Sequence, residues 1–206
     1  MSRSVKRLVF GLGNPGSKYA GTRHNVGYAV LEHLALREGL LFEPPTSLEK
    51  YFGPSALRCA RSHDPDYLLV CPETFMNRSG DVVGPLLDWS GAEPHEILCV
   101  FDDIDLGLAE LRIRPHGGAG GQKGVRSIIE SIGTEDFPRL RVGVGRPETD
   151  AVRHVLSRFS EEELEGIEGA VAEAADAILF WLRTGDLQTC MTRFHNRWKE
   201  KGSAPS

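Results

Sequence analysis

The sequence predicts a single α/β domain, a three-layer sandwich in which a mixed, twisted sheet carries helices on both faces. Three observations point to this class. Strand-like and helix-like segments alternate along the 206 residues. The apolar run Ile97–Phe101 lacks polar alternation, which is typical of a central strand buried on both faces. Two strand-like segments, 55–60 and 67–71, are separated by a short turn, which indicates an antiparallel hairpin.

The first half of the chain begins with a predicted strand at 8–12, which runs into a glycine- and proline-rich turn. Apolar residues then recur at helical spacing from Val26 to Leu34, and Gly39 marks the end of this helix. The hairpin follows. A second helix is expected after Ser79 and should end at Gly91, with Pro85 either near its first turn or bending it.

The second half begins with the central strand at 97–101 and continues with a strand near 111–114, a helix near 125–132 and a strand at 140–144. Ser160 and Glu163 form a capping-box pattern that opens a long amphipathic helix. A short helix should follow Asp186. We therefore expect one domain over residues 1–198 and a disordered polar tail over 199–206.

Composition restricts the classes of protein to consider. Apolar residues make up 40% of the chain and charged residues 26%, as in globular proteins. The four cysteines form no C-x-x-C pair, which argues against a disulfide framework or zinc ribbon and favours a reducing compartment. No apolar run reaches the ~18 residues of a membrane helix, and the N-terminal apolar run is too short for a signal peptide. A cytoplasmic monomer without membrane contact is expected.

The segment Gly11–Gly16 follows the first strand and matches the dinucleotide pattern G-x-G-x-x-G. A dinucleotide site also needs a helix that opens at once and an acidic residue at the end of a second strand. Pro15 disfavours that helix, and Glu32 falls inside the later one. A nucleotide-dependent oxidoreductase is therefore the weaker hypothesis. The alternatives are a simple tight turn and a loop that presents Asn14 to a pocket.

His24 immediately precedes the first helix, whose dipole favours the neutral imidazole that a general base requires. The alternative is an ordinary surface or core histidine. Asp102, Asp103 and Asp105 follow the central strand, and one of these carboxylates could orient His24 as a triad aspartate does. The same three could bind Mg²⁺, but no phosphate-binding loop accompanies them, and turn capping accounts for at least one. No metal is expected.

Two further segments could form binding surfaces. Phe75-Met76-Asn77 precedes the second helix and could provide an apolar shelf with one polar group, or simply core and cap. Residues 112–146 carry seven cationic and three acidic side chains, a charge of +4 in a chain whose total is −5. Strand periodicity directs Arg112 and Arg114, and likewise Arg139 and Arg141, away from the core. With the Gly-rich loop between them, these arginines indicate an anionic-polymer or terminal-phosphate site, or else a solvated charged face.

With these residues, the sequence resembles the bacterial-type peptidyl-tRNA hydrolase family over residues 7–197. The resemblance rests on separate blocks in the family's order: GLGNPG and TRHNVG (11–27), TFMNRSG (74–80), FDDIDL (101–106), the Gly-rich loop (117–124) and RLRVGVGRP (139–147). It implies hydrolysis, without metal or cofactor, of the ester between a peptide and the 3′-terminal ribose of tRNA, which recycles tRNA from aborted translation. The alternative is a non-catalytic RNA-binding protein on the same fold.

The resemblance also implies roles for single residues. His24 would be the general base, Asp102 its partner, and Asn14 the residue that recognises the peptide and helps to stabilise developing negative charge. Substrate contacts would come from Tyr19, Phe75 and Asn77. Arg114 and Arg141 would clamp the tRNA 5′-phosphate.

The Gly-rich loop departs from the family pattern, because Gln122-Lys123 stands where the family commonly has His-Asn. Lys123 cannot accept a hydrogen bond, although it could donate one to a carbonyl or a phosphate. Gln122 could supply an amide to the substrate from the neighbouring position. We expect a working hydrolase with an altered clamp.

Overall fold

The structure is a computed structural model that describes residues 5–44, 56–146 and 150–194. It contains a six-stranded mixed sheet in the order β2-β3-β1-β4-β6-β5, which confirms the predicted class. The strands are β1 (Arg7–Gly11), β2 (Leu57–His63), β3 (Asp66–Pro72), β4 (Ile97–Asp103), β5 (Leu111–Arg114) and β6 (Arg139–Gly143). The helices are α1 (Val26–Arg37), α2 (Gly80–Ser90), α3 (Lys123–Ile132), α4 (Ala151–Val155), α5 (Glu161–Thr184) and α6 (Leu187–Phe194). The predicted tail at 199–206 lies outside the described residues.

The centre of the sheet is parallel and its two edges are antiparallel. Strand β1 pairs in parallel with β3 and β4, and β4 pairs in parallel with β6. The edge strands β2 and β5 run antiparallel to β3 and β6. The predicted hairpin is the β2–β3 pair, which is confirmed. The carboxyl ends of β1 and β4 therefore open at the same edge of the sheet, where ligands of open α/β sheets bind.

Both faces of the sheet are buried, each in its own apolar cluster. On one face, alternate strand residues such as Val9 and Val100 pack with Leu31 and Ile178 of α1 and α5. On the other face, residues such as Phe10 pack with the helices α2 and α3. Burying one large aliphatic side chain stabilises the fold by roughly 1.5–3 kcal/mol. The three-layer arrangement is thus a consequence of strands that are apolar on both sides.

Short-range signals account for most helix ends. Gly91 and Gly185 end α2 and α5 in the left-handed conformation, at φ 68° and 73°. The capping box predicted from Ser160 and Glu163 is present at the start of α5. Pro85 lies inside α2, which continues past it to Ser90. None of the helices in the described ranges is long and apolar enough to span a bilayer.

The structure corrects one prediction about charge. Arg139 does not point to solvent, since only 2% of the residue is exposed. Its guanidinium donates to the carbonyl oxygens of Gly118 and Glu135 at 3.2 and 2.9 Å. The guanidinium also stacks over the Phe137 ring. Strand periodicity gave the correct side of β6, but loops and Phe137 cover that side. Burial in turn lowers the pKa of Arg139.

Candidate active site

A cavity of about 570 Å³ lies at the carboxyl ends of β1 and β4. Every site residue selected from the sequence lies on its wall. These residues are Asn14, Tyr19, His24, Phe75, Asn77, Asp102, Arg114, Gln122, Lys123 and Arg141. Residues from five separate stretches of the chain therefore meet in one place.

His24 and Asp102 form a hydrogen-bonded pair at the base of the cavity. His24 lies in the short 3-10 turn Arg23–Asn25 before α1, and Asp102 lies near the end of β4. The imidazole Nδ1 is 2.9 Å from both carboxylate oxygens. The side chains of His24 and Asp102 are 13% and 3% exposed. Because an ionised carboxylate only accepts hydrogen bonds, Nδ1 is the nitrogen that donates, and in the neutral form of such an imidazole the lone pair is on Nε2.

Close backbone packing brings His24 to Asp102. A Cβ atom on Gly27 would lie 2.4 Å from the Val100 carbonyl oxygen and 2.6 Å from the backbone nitrogen of Leu12. The start of α1 can therefore rest directly on β1 and β4 only because residue 27 is glycine. This helix begins ten residues after Gly16, following two 3-10 turns, so no helix opens at the G-x-G-x-x-G segment. The segment lacks the strand–turn–helix geometry of a dinucleotide site.

Asn14 is held rigidly with a defined amide orientation. Its Oδ1 accepts a hydrogen bond from the backbone N–H of Met76 at 2.8 Å. Its backbone N–H and carbonyl are both bonded to the side chain of Asn25, at 2.8 and 2.9 Å. Because its oxygen is already engaged, the Asn14 side chain offers its Nδ2 amino group, a pair of N–H donors, to a ligand in the cavity.

Arg23, the residue before His24, is a buried anchor that the sequence patterns did not single out. Its guanidinium donates to the Val144 carbonyl oxygen at 3.0 Å and to Glu163 at 2.6 Å. It also stacks over Phe159 at 4.7 Å. The hydrogen bond from Arg23 holds the pKa of Glu163 below its usual value. The turn that carries His24 is thereby fixed to the segment that follows β6.

Part of the cavity lining is apolar, and of its exposed side chains only Phe75 is predicted from the sequence. Phe75 is 56% exposed on one side. Val152 and Leu156, 56% and 39% exposed, line the cavity from α4 and the residue after it. Helix α4 escaped prediction because it has a single turn, although Asp150 caps it by accepting from the N–H groups of Val152 and Arg153. An apolar wall exposed in this way suits an apolar or peptide ligand.

The cationic side chains Arg114, Lys123, Arg139 and Arg141 also line the cavity, whereas Arg112 does not. Arg141 is ion-paired with Asp103, and Arg112 is paired with Glu110 at 2.7 Å. The Arg114 guanidinium donates to the Ile113 carbonyl at 3.2 Å and reaches the cavity. In the described parts of the chain, no group of three His, Cys, Asp or Glu side chains is arranged to hold a metal ion.

Gln122 and Lys123 occupy different environments. Lys123 is the exposed first residue of α3 and lines the cavity. The Gln122 Oε1 accepts from the backbone N–H groups of Gly124 and Val125 and so caps α3. Its Nε2 donates to Asp102 Oδ1 at 3.0 Å. Both ends of this amide are used within the protein, and the contact of Gln122 with substrate stays a prediction.

Comparisons with known proteins agree with one another. The sequence model of the family described as "Peptidyl-tRNA hydrolase" matches residues 8–202. A peptidyl-tRNA hydrolase of Syntrophomonas wolfei is 45% identical over 179 residues, covering 87% of this chain and 94% of that protein. One from Synechocystis is 40% identical, covering 94% and 97%. The crystal structure of peptidyl-tRNA hydrolase from Acinetobacter baumannii superposes with a TM-score of 0.83 at 32% identity, covering 93% of this chain and 94% of that chain.

Proposed function

The chain belongs to the peptidyl-tRNA hydrolase family, and from this premise we propose that His24 and Asp102 carry out its reaction. It is an enzyme that hydrolyses the ester bond of peptidyl-tRNA. The observation that carries the assignment of the base is the 2.9 Å contact of His24 Nδ1 with both oxygens of a buried carboxylate, which leaves Nε2 free toward the cavity.

The chemistry needs only groups on the cavity wall. His24 Nε2 removes a proton from a water molecule, and the resulting hydroxide attacks the ester carbonyl. The Nδ2 amino group of Asn14 donates to the oxygen that becomes negative. As the intermediate collapses, the carbon–oxygen bond to the ribose breaks, the imidazolium returns its proton to the ribose oxygen, and the peptide leaves as a carboxylic acid that loses its proton to solvent. Asp102 stabilises the transient imidazolium.

The cavity lining suits both parts of the substrate. The exposed apolar side chains Phe75, Val152 and Leu156 suit the peptide, and Tyr19 and Asn77 on the same lining are assigned to the acceptor end. Arg114 and Arg141 are assigned to the 5′-phosphate. Lys123, on the exposed start of α3, is suited to donate to a phosphate or carbonyl of the same substrate. We further expect the enzyme to act as a monomer in the cytoplasm.

The test of the base is His24→Ala, assayed on N-acetyl-aminoacyl-tRNA. We expect turnover to fall by about 10²–10⁴-fold, because a positioned general base contributes about that much. Binding of tRNA, measured by filter retention, should stay close to that of the unaltered protein, because the arginines and Lys123 are unchanged.

The matched control is His63→Ala, which removes an exposed histidine at the end of β2. Its turnover should equal that of the unaltered protein. Unimpaired hydrolysis by His24→Ala would remove His24 from the role of base. Tight tRNA binding without any turnover by the unaltered chain would instead support the RNA-binding alternative.

A further inference from the structure

We infer that Gln122 is a positioning residue that acts on the reaction through Asp102, rather than a residue that binds substrate. This inference deepens the proposed function and rests on it. The observation behind it is that one side-chain amide makes two separate sets of hydrogen bonds. The Gln122 side chain caps α3 with its oxygen and donates to the carboxylate partner of His24 with its nitrogen.

The orientation of the amide is determined by its neighbours. Backbone N–H groups can only donate, so the atom 2.5 Å from the nitrogen of Gly124 and 3.1 Å from that of Val125 must be the carbonyl oxygen. The amino group then faces Asp102 Oδ1 at 3.0 Å and the Met76 sulfur at 3.3 Å. A flipped amide would place N–H against N–H on one side and oxygen against a carboxylate on the other.

The surrounding backbone leaves little freedom for this side chain. A Cβ atom on Gly124 would lie 2.6 Å from the Met76 sulfur and 3.0 Å from Gln122 Oε1. Glycine at 124 therefore allows the amide, the methionine and the helix to meet. Met76 in turn donates its backbone N–H to Asn14 Oδ1. Gln122 thus belongs to the same network that orients the two groups assigned to the chemistry.

Loss of the Gln122 donor should affect the dyad, the His24–Asp102 pair, through the negative charge of the carboxylate. Asp102 accepts from His24 on one side and from Gln122 on the other, so the neutral donor takes up part of the carboxylate's negative charge. Without that donor, Asp102 rotates more freely and attracts a proton onto His24 more strongly. Both changes reduce the fraction of enzyme with a correctly placed, neutral imidazole.

Two other charged groups near the dyad are already ion-paired. Asp103 is neutralised by Arg141, and Arg23 beside the imidazole is neutralised by Glu163. The remaining titratable groups on the cavity wall are Tyr19, His116, Arg114, Lys123 and Arg139. A neutral substitution of Gln122 adds no charge beside these groups, so a change in the acidic limb of the rate profile of such a variant reports on Asp102 and His24.

Two substitutions separate the capping task from the contact with Asp102. Gln122→Ser keeps a good N-cap for α3 but is too short to reach the carboxylate. Gln122→Glu keeps the acceptor oxygens and adds a charge that the helix N-terminus favours, but it turns an oxygen toward Asp102. Both proteins should melt within a few degrees of the unaltered protein.

We expect kcat on N-acetyl-aminoacyl-tRNA to fall by about 10-fold in Gln122→Ser and further in Gln122→Glu, with KM nearly unchanged. The acidic limb of the kcat profile should move to higher pH, by about 0.5 pH unit in the serine variant and more in the glutamate variant. This ordering distinguishes an electrostatic role from a purely structural one, which would lower kcat without moving the limb.

The inference is overturned if KM rises while kcat stays constant, which would mark a substrate contact, or if neither variant moves the acidic limb. His24→Ala in the same assay distinguishes failure of the Gln122 positioning role from failure of the proposed function. If that variant is inactive and both Gln122 variants behave as the unaltered protein, only the positioning role fails. If His24→Ala retains full turnover, the proposed function of the dyad fails and this inference fails with it.

Discussion

Arg23 shows how much a single side chain contributes to the placement of the base. It is 7% exposed, yet its charge is balanced by Glu163 and its N–H groups meet the Val144 carbonyl and the Ser157 hydroxyl. Buried charges are tolerated only when paired and hydrogen-bonded in this way. Since the next residue is His24, this pairing fixes the turn that carries the imidazole.

The Arg23–Glu163 pair predicts a pH dependence of stability. The folded-state pKa of Glu163 lies below its ordinary value of 4.5, so the charge of Glu163 stabilises the fold above that pH and ceases to do so as the pH falls through the folded-state pKa. Glu163→Gln should lower the free energy of unfolding at pH 7 by roughly 0.5–1 kcal/mol, because the pair is partly exposed. The difference from the unaltered protein should shrink toward zero at an acidic pH below the folded-state pKa of Glu163.

Urea unfolding at both pH values checks this prediction. Glutamine preserves the capping box with Ser160, so the substitution removes charge and not the cap. Glu161→Gln, an exposed change in the same helical turn, is the control and should have a smaller effect at pH 7. A pH-independent loss in Glu163→Gln would contradict the ion-pair explanation.

At the scale of secondary-structure elements, the sequence predicted the strands and helix ends that are determined by residues close together in the chain. Continuous apolar runs located the strands, and glycines and the Ser160 capping box located helix ends. The misses needed tertiary information. Helix α4 has one turn and no apolar periodicity, and Arg139 is covered by a loop that lies far from it in sequence. The contact of Gln122 with Asp102 likewise joins residues twenty positions apart, which no spacing rule foresees.

Two glycine-to-alanine substitutions test whether close packing places α1. Gly27→Ala should destabilise the protein by about 3 kcal/mol and also reduce turnover, because the new methyl group meets backbone atoms of β4 and of the loop after β1 that cannot move aside. Gly166→Ala is the control in α5, where a Cβ would only meet the Cβ of Ala109 at 3.9 Å. That variant should be neutral or up to ~1 kcal/mol more stable.

Chemical denaturation of both variants, with turnover measured on the same samples, decides the matter. Equal stability of Gly27→Ala and Gly166→Ala would show that α1 can shift away from the sheet without cost. A stable Gly27→Ala protein with reduced kcat would instead show that the helix moves and displaces the base.

For the whole molecule, the sign of the net charge is less informative than its distribution. The chain carries −5 overall, yet residues 112–146 contain seven cations and three acids. The structure sorts those cations further: Arg139 is buried, Arg112 is paired with Glu110, Arg141 lines the cavity while paired with Asp103, and Arg114 and Lys123 also line the cavity. The sequence therefore located the basic region, while only the fold separates structural arginines from available ones.

This sorting predicts the salt dependence of substrate binding. Arg114→Gln should raise KM for tRNA and reduce the slope of log KM against log salt by about 1, because one phosphate contact is lost. With tRNA that carries a 5′-hydroxyl in place of the phosphate, the same substitution should have little effect. Arg112→Gln is the control, because Arg112 lies two residues away on β5 and is already ion-paired with Glu110.

Steady-state kinetics at several salt concentrations give the slope of log KM against log salt for Arg114→Gln and for Arg112→Gln. An equal penalty for Arg114→Gln on phosphorylated and hydroxyl-ended tRNA would place the 5′-phosphate elsewhere. An equal change of slope in Arg112→Gln would indicate a diffuse electrostatic attraction instead of a defined contact.

The carbonyl oxygen of Val144 receives a hydrogen bond from Arg23 at 3.0 Å and another from His154 Nε2 at 3.1 Å. Arg23 belongs to the turn of the base, and His154 belongs to α4, the apolar wall. The turn that carries the base and the helix that carries Val152 therefore share one hydrogen-bond acceptor. A change that displaces the Val144 carbonyl would remove a fixed point from both segments at once.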